Sequence, residues 1–497
     1  MIRKFWMLWG VIALAGGTAA AQDARSVLQA AAAAMGATNL KSIQYSGTGY
    51  HSFLGQNYTP ALTDSWPRFE LKSYTRTVDY EARSAKEEFV RAQGTWPRRG
   101  GGAGFPIQGE QPQNAMVSGN YAWNMQGTNP TPQPAAAELR QLEIWLTPHG
   151  FLKAALASND VKIAPLPDRA PTNAKIVTFT ALGKYTVNGW ISEQNTVMRV
   201  QTWTHNPVLG DMYNEMRYGN YQDFGGVKFP TRIHQSFGNP PHPGIDLDVK
   251  DVRANGSGAA LPVPDAVRQA TVQPVRVEPQ KLAEGVWYLA GSSHNSLAVE
   301  FRDWAVIIEG PLNEERSLAV IAETRKLIPN KPIRYVVNTH HHFDHAGGLR
   351  TYGAIGADII MHDMNFDYYE GVVFDLRPWT VQPDLLSRFP RNVHYVRVKD
   401  RHTLSNGDRT VEIYHVPNLD HNGDMLVAYL PKEKILVEAD LYTPPAPNAP
   451  APARPNPNHI GLYHFLKEQR MDVAQIAPIH GRVVPMAEFT KLFDNLE

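Results

Sequence analysis

The feature that most constrains this chain is the run Asn338-Thr339-His340-His341-His342-Phe343-Asp344-His345-Ala346-Gly347-Gly348. Before it, Ile333-Arg334-Tyr335-Val336-Val337 is apolar and β-branched and reads as a buried strand. After it, Ala346-Gly347-Gly348-Leu349 reads as the start of a helix. The run therefore occupies a strand-to-helix loop, where side chains converge on a point. His340 and His342, two apart on extended backbone, can aim at one metal; Asp344 and His345 are offset and can aim at a neighbouring ion. Neutral imidazole and carboxylate suit zinc, and also iron or manganese.

Further candidate ligands lie downstream. Val411 to Pro417 is a strand leading to His421, and Met425 to Leu430 is the next strand. Lys434-Ile-Leu-Val-Glu-Ala is a strand ending at Asp440, and Gln475-Ile-Ala-Pro-Ile is a short strand ending at His480 with Gly481 behind it. Each candidate stands at or just past the C-terminal end of a strand, where one sheet edge can gather them. Strand, helix and strand recur through this half, which is therefore α/β.

The His-x-His-x-Asp-His run at 340–345, with His421, Asp440 and His480 following in that order, resembles the metallo-β-lactamase superfamily over roughly residues 280–497. The resemblance implies a four-layer αββα sandwich. It implies a first metal on His340, His342 and His421, a second on Asp344, His345 and His480, and Asp440 bridging them. Two zinc ions per chain are expected, with iron or manganese as other candidates. Two such ions lower the pKa of a bridging water enough to give hydroxide at neutral pH, which attacks a carbonyl, phosphorus or sulfur centre. Asp344 is the candidate catalytic residue, orienting the nucleophile or shuttling a proton.

The expected function is an exported hydrolase that cleaves an ester, lactone, amide or β-lactam bond of a small molecule. The alternatives are a phosphodiesterase or sulfatase on the same metals, and a periplasmic carrier whose metal domain is idle. Two departures from the family pattern stand out. Glu309-Gly310-Pro311 replaces the Asp-Thr-Gly turn of many members, which puts the support behind the ligands in question. The chain has 0 cysteines, which excludes the lactamase subclasses with a cysteine ligand, any disulfide and a rubredoxin segment.

Other residues near these motifs invite weaker readings. His341 should point away from the ligands on either side of it. His294, in Ser292-Ser293-His294-Asn295, either reaches the pocket rim or, as is more usual for a loop histidine, is merely exposed. His362, His402 and His415 carry no expected role. Tyr442, just past Asp440, is a candidate donor to a substrate oxygen.

At 497 residues the chain should hold two or three domains. Lys+Arg and Asp+Glu are both 48, so nothing favours nucleic acid or an anionic membrane as partner. A small-molecule substrate is the expected partner. Met1-Ile-Arg-Lys, an apolar run from Phe5 to Gly17 and the small residues before Gln22 read as a signal peptide over 1–21, placing the mature protein in the periplasm or outside the cell. No other stretch is long enough to span a bilayer.

Residues 22–253 read as a β-rich accessory domain, mainly antiparallel, with helices on one face. A helix from Asp23 to Met35 ends at Gly36. Strands follow near 42–50, 68–74 and 86–91, then a Gly- and Pro-rich loop over 94–113, a strand at 121–125 and one or two helices over 134–157 interrupted near Pro148. A second strand set follows, with Asn188-Gly189 and Gly225-Gly226 as hairpin signals. The run from Tyr218 to Ile233 resembles the strand pair of periplasmic LolA-like lipoprotein-carrier domains, which implies a curved half-barrel able to hold an apolar ligand; a structural or dimerisation role for the domain is the favoured alternative. Residues 254–275 read as a linker and 276–497 as the catalytic domain, with a proline-rich run at 444–458 beside the metal site as a wall or a solvated loop.

Overall fold

The computed structural model describes residues 23–494 apart from 103, 169–172, 257–260, 292, 448 and 450–453. The expected signal peptide lies outside the described residues, as do parts of the linker and of the proline-rich run. Among the described residues no helix is long and apolar enough to cross a membrane.

The N-terminal half is a thirteen-stranded sheet, antiparallel throughout. Its first six strands, from Ser42–Ser52 to Asn129–Pro132, form one meander. Its last seven, from Lys162–Ala164 to His242–Ala254, form another. The two meet mid-sheet, where Ser42–Ser52 pairs with His242–Ala254 and Ile43 lies opposite Ala254. Both free edges are short strands, Asn129–Pro132 and Lys162–Ala164.

The helix over 23–34 and the helices Ala137–Leu146 and Pro148–Ala157 share one core with the sheet. Leu28, Met35, Ile144, Phe151 and Leu152 pack there with Tyr45, Val200, Phe229 and Leu247. The break between the last two helices is local chemistry. Thr147 is extended, its hydroxyl accepts from the Gly150 N–H, and Pro148 opens the next helix.

One hairpin expectation is corrected. Asn188-Gly189 is no turn but lies inside the strand Tyr185–Ile191. The glycine serves packing: a Cβ on Gly189 would stand 2.0 Å from Phe151 Cζ. The other hairpin signal, Gly225-Gly226, does separate paired strands, Gly210–Asp223 and Lys228–Phe237, with Tyr218 opposite Ile233. The strand His242–Ala254 carries no assignment in the sequence reading, because its Pro240-Pro241-His242-Pro243-Gly244 approach reads as loop.

The C-terminal half holds two sheets. One has seven strands, from Glu278–Ala283 to Tyr395–Val398, with parallel pairing from Ala305–Ile308 onward. The other has six strands, from Arg401–Asn406 to Val484–Pro485. Val299, Ile308, Val337, Ile413, Ala428 and Val437 fill the space between them. Helices Glu314–Leu327 and Leu349–Ile355 cover the outer face of the first sheet, and Pro457–Glu468 and Met486–Thr490 that of the second. The order helix, sheet, sheet, helix is the expected four-layer sandwich.

Candidate metal centre

Strand Ile333–Val337 ends at Asn338, whose N–H donates to Ile360 O at 2.9 Å. The next residues bend across the sheet ends into a short helix, Phe343–Ala346. Thr339 O accepts from Leu426 N at 2.7 Å, which ties the motif to the second sheet. Asn295 N donates to Ile479 O at 2.9 Å, so the loop carrying His480 is tied to the first sheet in turn. Asp440 follows strand Ile435–Glu438 in a left-handed conformation, φ 59°. The turn is held by Leu441 and Tyr442 N–H groups donating to the buried Glu438 carboxyl at 3.0 and 3.1 Å. A non-glycine residue held at positive φ at the end of a strand is strain of the kind found at functional sites.

The seven residues singled out in the sequence converge. His340, His342, His421 and Asp440 form one group of potential ligand atoms within 4.8 Å of one another; Asp344, His345, His480 and His294 form a second. Asp440 joins them. Its Oδ2 lies 3.3 Å from His340 Nε2, 3.2 Å from His421 Nε2 and 2.9 Å from His345 Nε2, and its Oδ1 3.1 Å from His480 Nε2.

The donors fit metal ions. His340 and His421 Nε2 are 3.3 Å apart, as are His345 and His480 Nε2. Two nitrogens bound to one tetrahedral zinc at about 2.0–2.1 Å stand roughly 3.3–3.4 Å apart. His342 Nδ1 is buried with no hydrogen-bond partner, a bare donor beside the His340 and His421 rings.

Electrostatics point the same way. Burial pushes His340 down to about 4, and the neighbouring His345 adds to the shift. Burial, with His340 and His421 beside it, drives His342 well below the ordinary range. Burial disfavours a charged His345 too, but the Asp440 and Asp344 carboxylates outweigh it and hold that imidazole well above its usual value. Asp440 and Asp344 stay ionised against burial because imidazoles surround them. The buried carboxylates gather positive charge at this point, here on His345, which is the charge a metal ion would supply.

Glu309, at the Glu-Gly-Pro departure, supports both groups. It is fully buried at φ 77° and accepts from the Thr339 hydroxyl and from Asn338 Nδ2 at 3.1 Å. His345 Nδ1 lies 3.3 Å from its Oε2, and Thr339 Oγ1 lies 3.0 Å from His340 Nδ1. One carboxylate thus orients two candidate ligands.

Several placements differ from the sequence reading. His294 is 6 % exposed, not a surface loop residue, and its Nε2 is 3.3 Å from Asp344 Oδ2. His341 points away from the ligands as expected, into a buried bond with Asp424 Oδ1 at 2.8 Å. Tyr442 faces the outer core against His459 and Phe489, so its hydroxyl is no donor to the metal centre. His362 and His415 lie against each other as a tilted pair with ring centroids 4.1 Å apart, each with Nε2 toward a backbone carbonyl. Pro444, which opens the proline-rich run, sits close to Gly481 beside His480.

The sequence reading missed the contribution of the N-terminal half. Its segment 53–64 reaches the metal centre: Gln56 Nε2 donates to Asp344 Oδ1 at 2.7 Å and Asn57 O accepts from His342 Nε2 at 2.9 Å. Gly423 N–H donates to Tyr58 O at 2.9 Å, and Gly100 N–H, from the Gly-rich loop, to Asp420 O at 2.8 Å. These partners are hundreds of residues apart, and no local pattern announces them.

A family model agrees with this architecture. Residues 290–449 match the model of the family described as the Metallo-beta-lactamase superfamily. Among solved structures, a metallo-beta-lactamase from Pontibacter korlensis is 19% identical, with TM-score 0.33, over 44% of this chain and 100% of that one. FIM-1 from Pseudomonas aeruginosa, in a mono-zinc form, is 21% identical with TM-score 0.34 over 46% and 97%. Rubredoxin oxygen:oxidoreductase from Desulfovibrio gigas is 18% identical with TM-score 0.34 over 43% and 59%. No curated protein matches the chain. The matched segment lies within the paired sheets and carries six of the seven converging residues, and the C-terminal half of this chain is a metallo-β-lactamase superfamily domain.

Proposed function

We propose that this protein is an exported, dinuclear metal-dependent hydrolase, most simply with zinc, that cleaves an ester, lactone, amide or β-lactam bond in a small molecule. The observation that carries the proposal is the pair of ligand groups sharing the Asp440 carboxylate. His340, His342 and His421 would hold one ion, Asp344, His345 and His480 the other, and Asp440 both. Bound there, two divalent ions supply a nucleophile at neutral pH and polarise the bond to be broken.

The chain's own residues do the rest. Asp344 Oδ1 is engaged by Gln56, which leaves Oδ2, beside His294 Nε2, as the oxygen turned toward the second group, where the carboxylate would orient the attacking water. His294 and His480, rings 4.2 Å apart, border the same side of the centre. The N-terminal segment over His342 and Asp344 shields the other side from water, which strengthens the electrostatics within. The segment 1–21 is the signal for export in this reading, and 22–253 an accessory domain.

The test is metal content of the purified mature protein by plasma mass spectrometry, with a panel of chromogenic esters, lactones, phosphodiesters, sulfate esters and a cephalosporin. The control carries His342→Ala and Asp344→Ala together. Two ions per chain, with turnover abolished in the control, are expected. Under one ion per chain, or turnover untouched in the control, would sink the proposal and favour a carrier. Turnover confined to phosphodiesters or sulfate esters would replace the substrate class and keep the metals.

A further inference from the structure

The imidazoles of the metal centre are oriented from two sources. His340 is held by Thr339, His345 by Glu309, and His480 Nδ1 by Ser293 O at 3.0 Å, all within the C-terminal half. His342 differs: its Nε2 lies 2.9 Å from the backbone carbonyl of Asn57, in the N-terminal half. A carbonyl only accepts, so Nε2 carries the hydrogen and Nδ1 presents a lone pair. Nδ1 is the buried atom with no other partner. One residue earlier, Gln56 donates to Asp344 Oδ1 at 2.7 Å and so fixes which carboxylate oxygen remains available to the second group.

The segment that delivers both contacts is built to stay in place. Thr59 N and Oγ1 both donate to Asp64 Oδ2, at 2.8 and 3.0 Å, and the Asn57 amide bonds to Thr59 O. Gly101 N–H donates to Gln56 O at 2.7 Å from the Gly-rich loop. The Arg99 guanidinium lies over the Tyr58 ring, 5.0 Å from its centroid. Gly55 makes the approach possible: at φ 68° its ideal Cβ position lies 2.1 Å from the Phe343 ring. Only glycine lets the backbone pass that close to the residue between His342 and Asp344.

We propose that Gln56 and Asn57 are positioning residues of the metal centre, so that the N-terminal sheet completes a site the C-terminal half carries only in part. This rests on the metal reading given above. The Asn57 carbonyl sets the His342 tautomer that offers Nδ1 to the first ion, and the Gln56 amide aims Asp344 at the second. Partners of this kind, one step behind a ligand, change metal affinity by roughly 10–100-fold when removed.

The test uses the full chain, cobalt(II) as probe and a chromogenic chelator as competitor, with Gly55→Ala and Gln56→Ala as variants. Circular dichroism reports whether each folds. Gly55→Ala should weaken one of two cobalt sites by roughly 10–100-fold and alter the cobalt visible spectrum. In the ¹⁵N-histidine-labelled apo protein it should also replace a single Nε2–H tautomer at His342 by a mixture. Gln56→Ala should weaken the other site by roughly 10-fold and leave the His342 signal alone. If Gly55→Ala does not fold, Gln56→Ala decides. Folded variants with wild-type affinities and spectra overturn the inference alone, since the wild type still binds two ions. A wild-type chain that takes up no cobalt overturns the metal reading and this inference with it.

Discussion

The imidazole Nδ1 of His341 stands 2.8 Å from Asp424 Oδ1, and the backbone N–H of the same residue donates to Asp424 Oδ2 at 2.9 Å. Asn365 Nδ2 donates to that Oδ2 as well, at 2.8 Å. Asp424 is fully buried, and it stays ionised against that burial because His341 lies beside it and bonds to it. One carboxylate therefore pins the middle of the histidine run to the second sheet, and it fixes the backbone on both sides of the pin, at His340 and His342.

Asp424→Ala should leave three donors buried without a partner. The expected cost is roughly 3 kcal/mol in urea denaturation, with metal content reduced as the run loosens. Asp424→Asn keeps the shape and part of the bonding, and should lose about half as much. Equal stability for wild type and Asp424→Ala would show that the pin is dispensable.

Removing the ions should lower the thermal transition of the C-terminal half. An ion present at a thousand times its dissociation constant contributes about 4 kcal/mol to the folded state. Calorimetry with and without a strong chelator measures this. The double variant His342→Ala with Asp344→Ala should give the same transition in both conditions.

His149 predicts acid sensitivity in the N-terminal half. It is fully buried against Phe229, its Nε2 3.2 Å from Met35 O, and burial pushes it from 6.5 down to about 4 with the Met35 bond opposing only in part. The unfolded chain therefore binds the proton more tightly than the folded one. Stability from this group is complete above about pH 6.5 and is lost as pH falls toward 4, to a total of roughly 3 kcal/mol. His149→Phe should show a smaller drop in urea midpoint between pH 7 and 4.5 than wild type. Parallel pH profiles for the two proteins would rule out this origin.

Gly189→Ala should destabilise the N-terminal sheet by about 1–3 kcal/mol, because the new methyl meets the Phe151 ring. Phe151→Leu in the same chain vacates part of that space and should restore some of the loss. If the second change only adds to the first, the two sites are not in contact.

What the sequence discloses about this molecule follows from range. Each candidate ligand sits beside a strand whose composition is visible locally, so the convergence of His340, His421, Asp440 and His480 is readable from strand ends alone. The sandwich follows from the same strands. Gly189 misleads because a glycine that makes room for a ring looks like one that makes a turn. His294 misleads because its burial comes from His345, His480 and Asp344, none of them near it in sequence. Tyr442 misleads because its side chain turns outward just past Asp440. Gln56 and Asn57 carry no signal at all, since their partners lie 288 and 285 residues away.

The edge strand Asn129–Pro132 settles how a sheet this wide behaves among copies of itself. Gln133 N–H donates inward to Ala122 O, so residues 131 and 129 also turn inward, and residues 130 and 132 turn their backbone to the open side. Both are proline, and proline has no N–H to offer. The opposite border, Lys162–Ala164, is three residues long and begins with an exposed lysine. Neither border presents a donor ladder on which a second molecule could crystallise strand by strand. Both borders of the thirteen-stranded sheet therefore resist the strand-by-strand addition of a second chain.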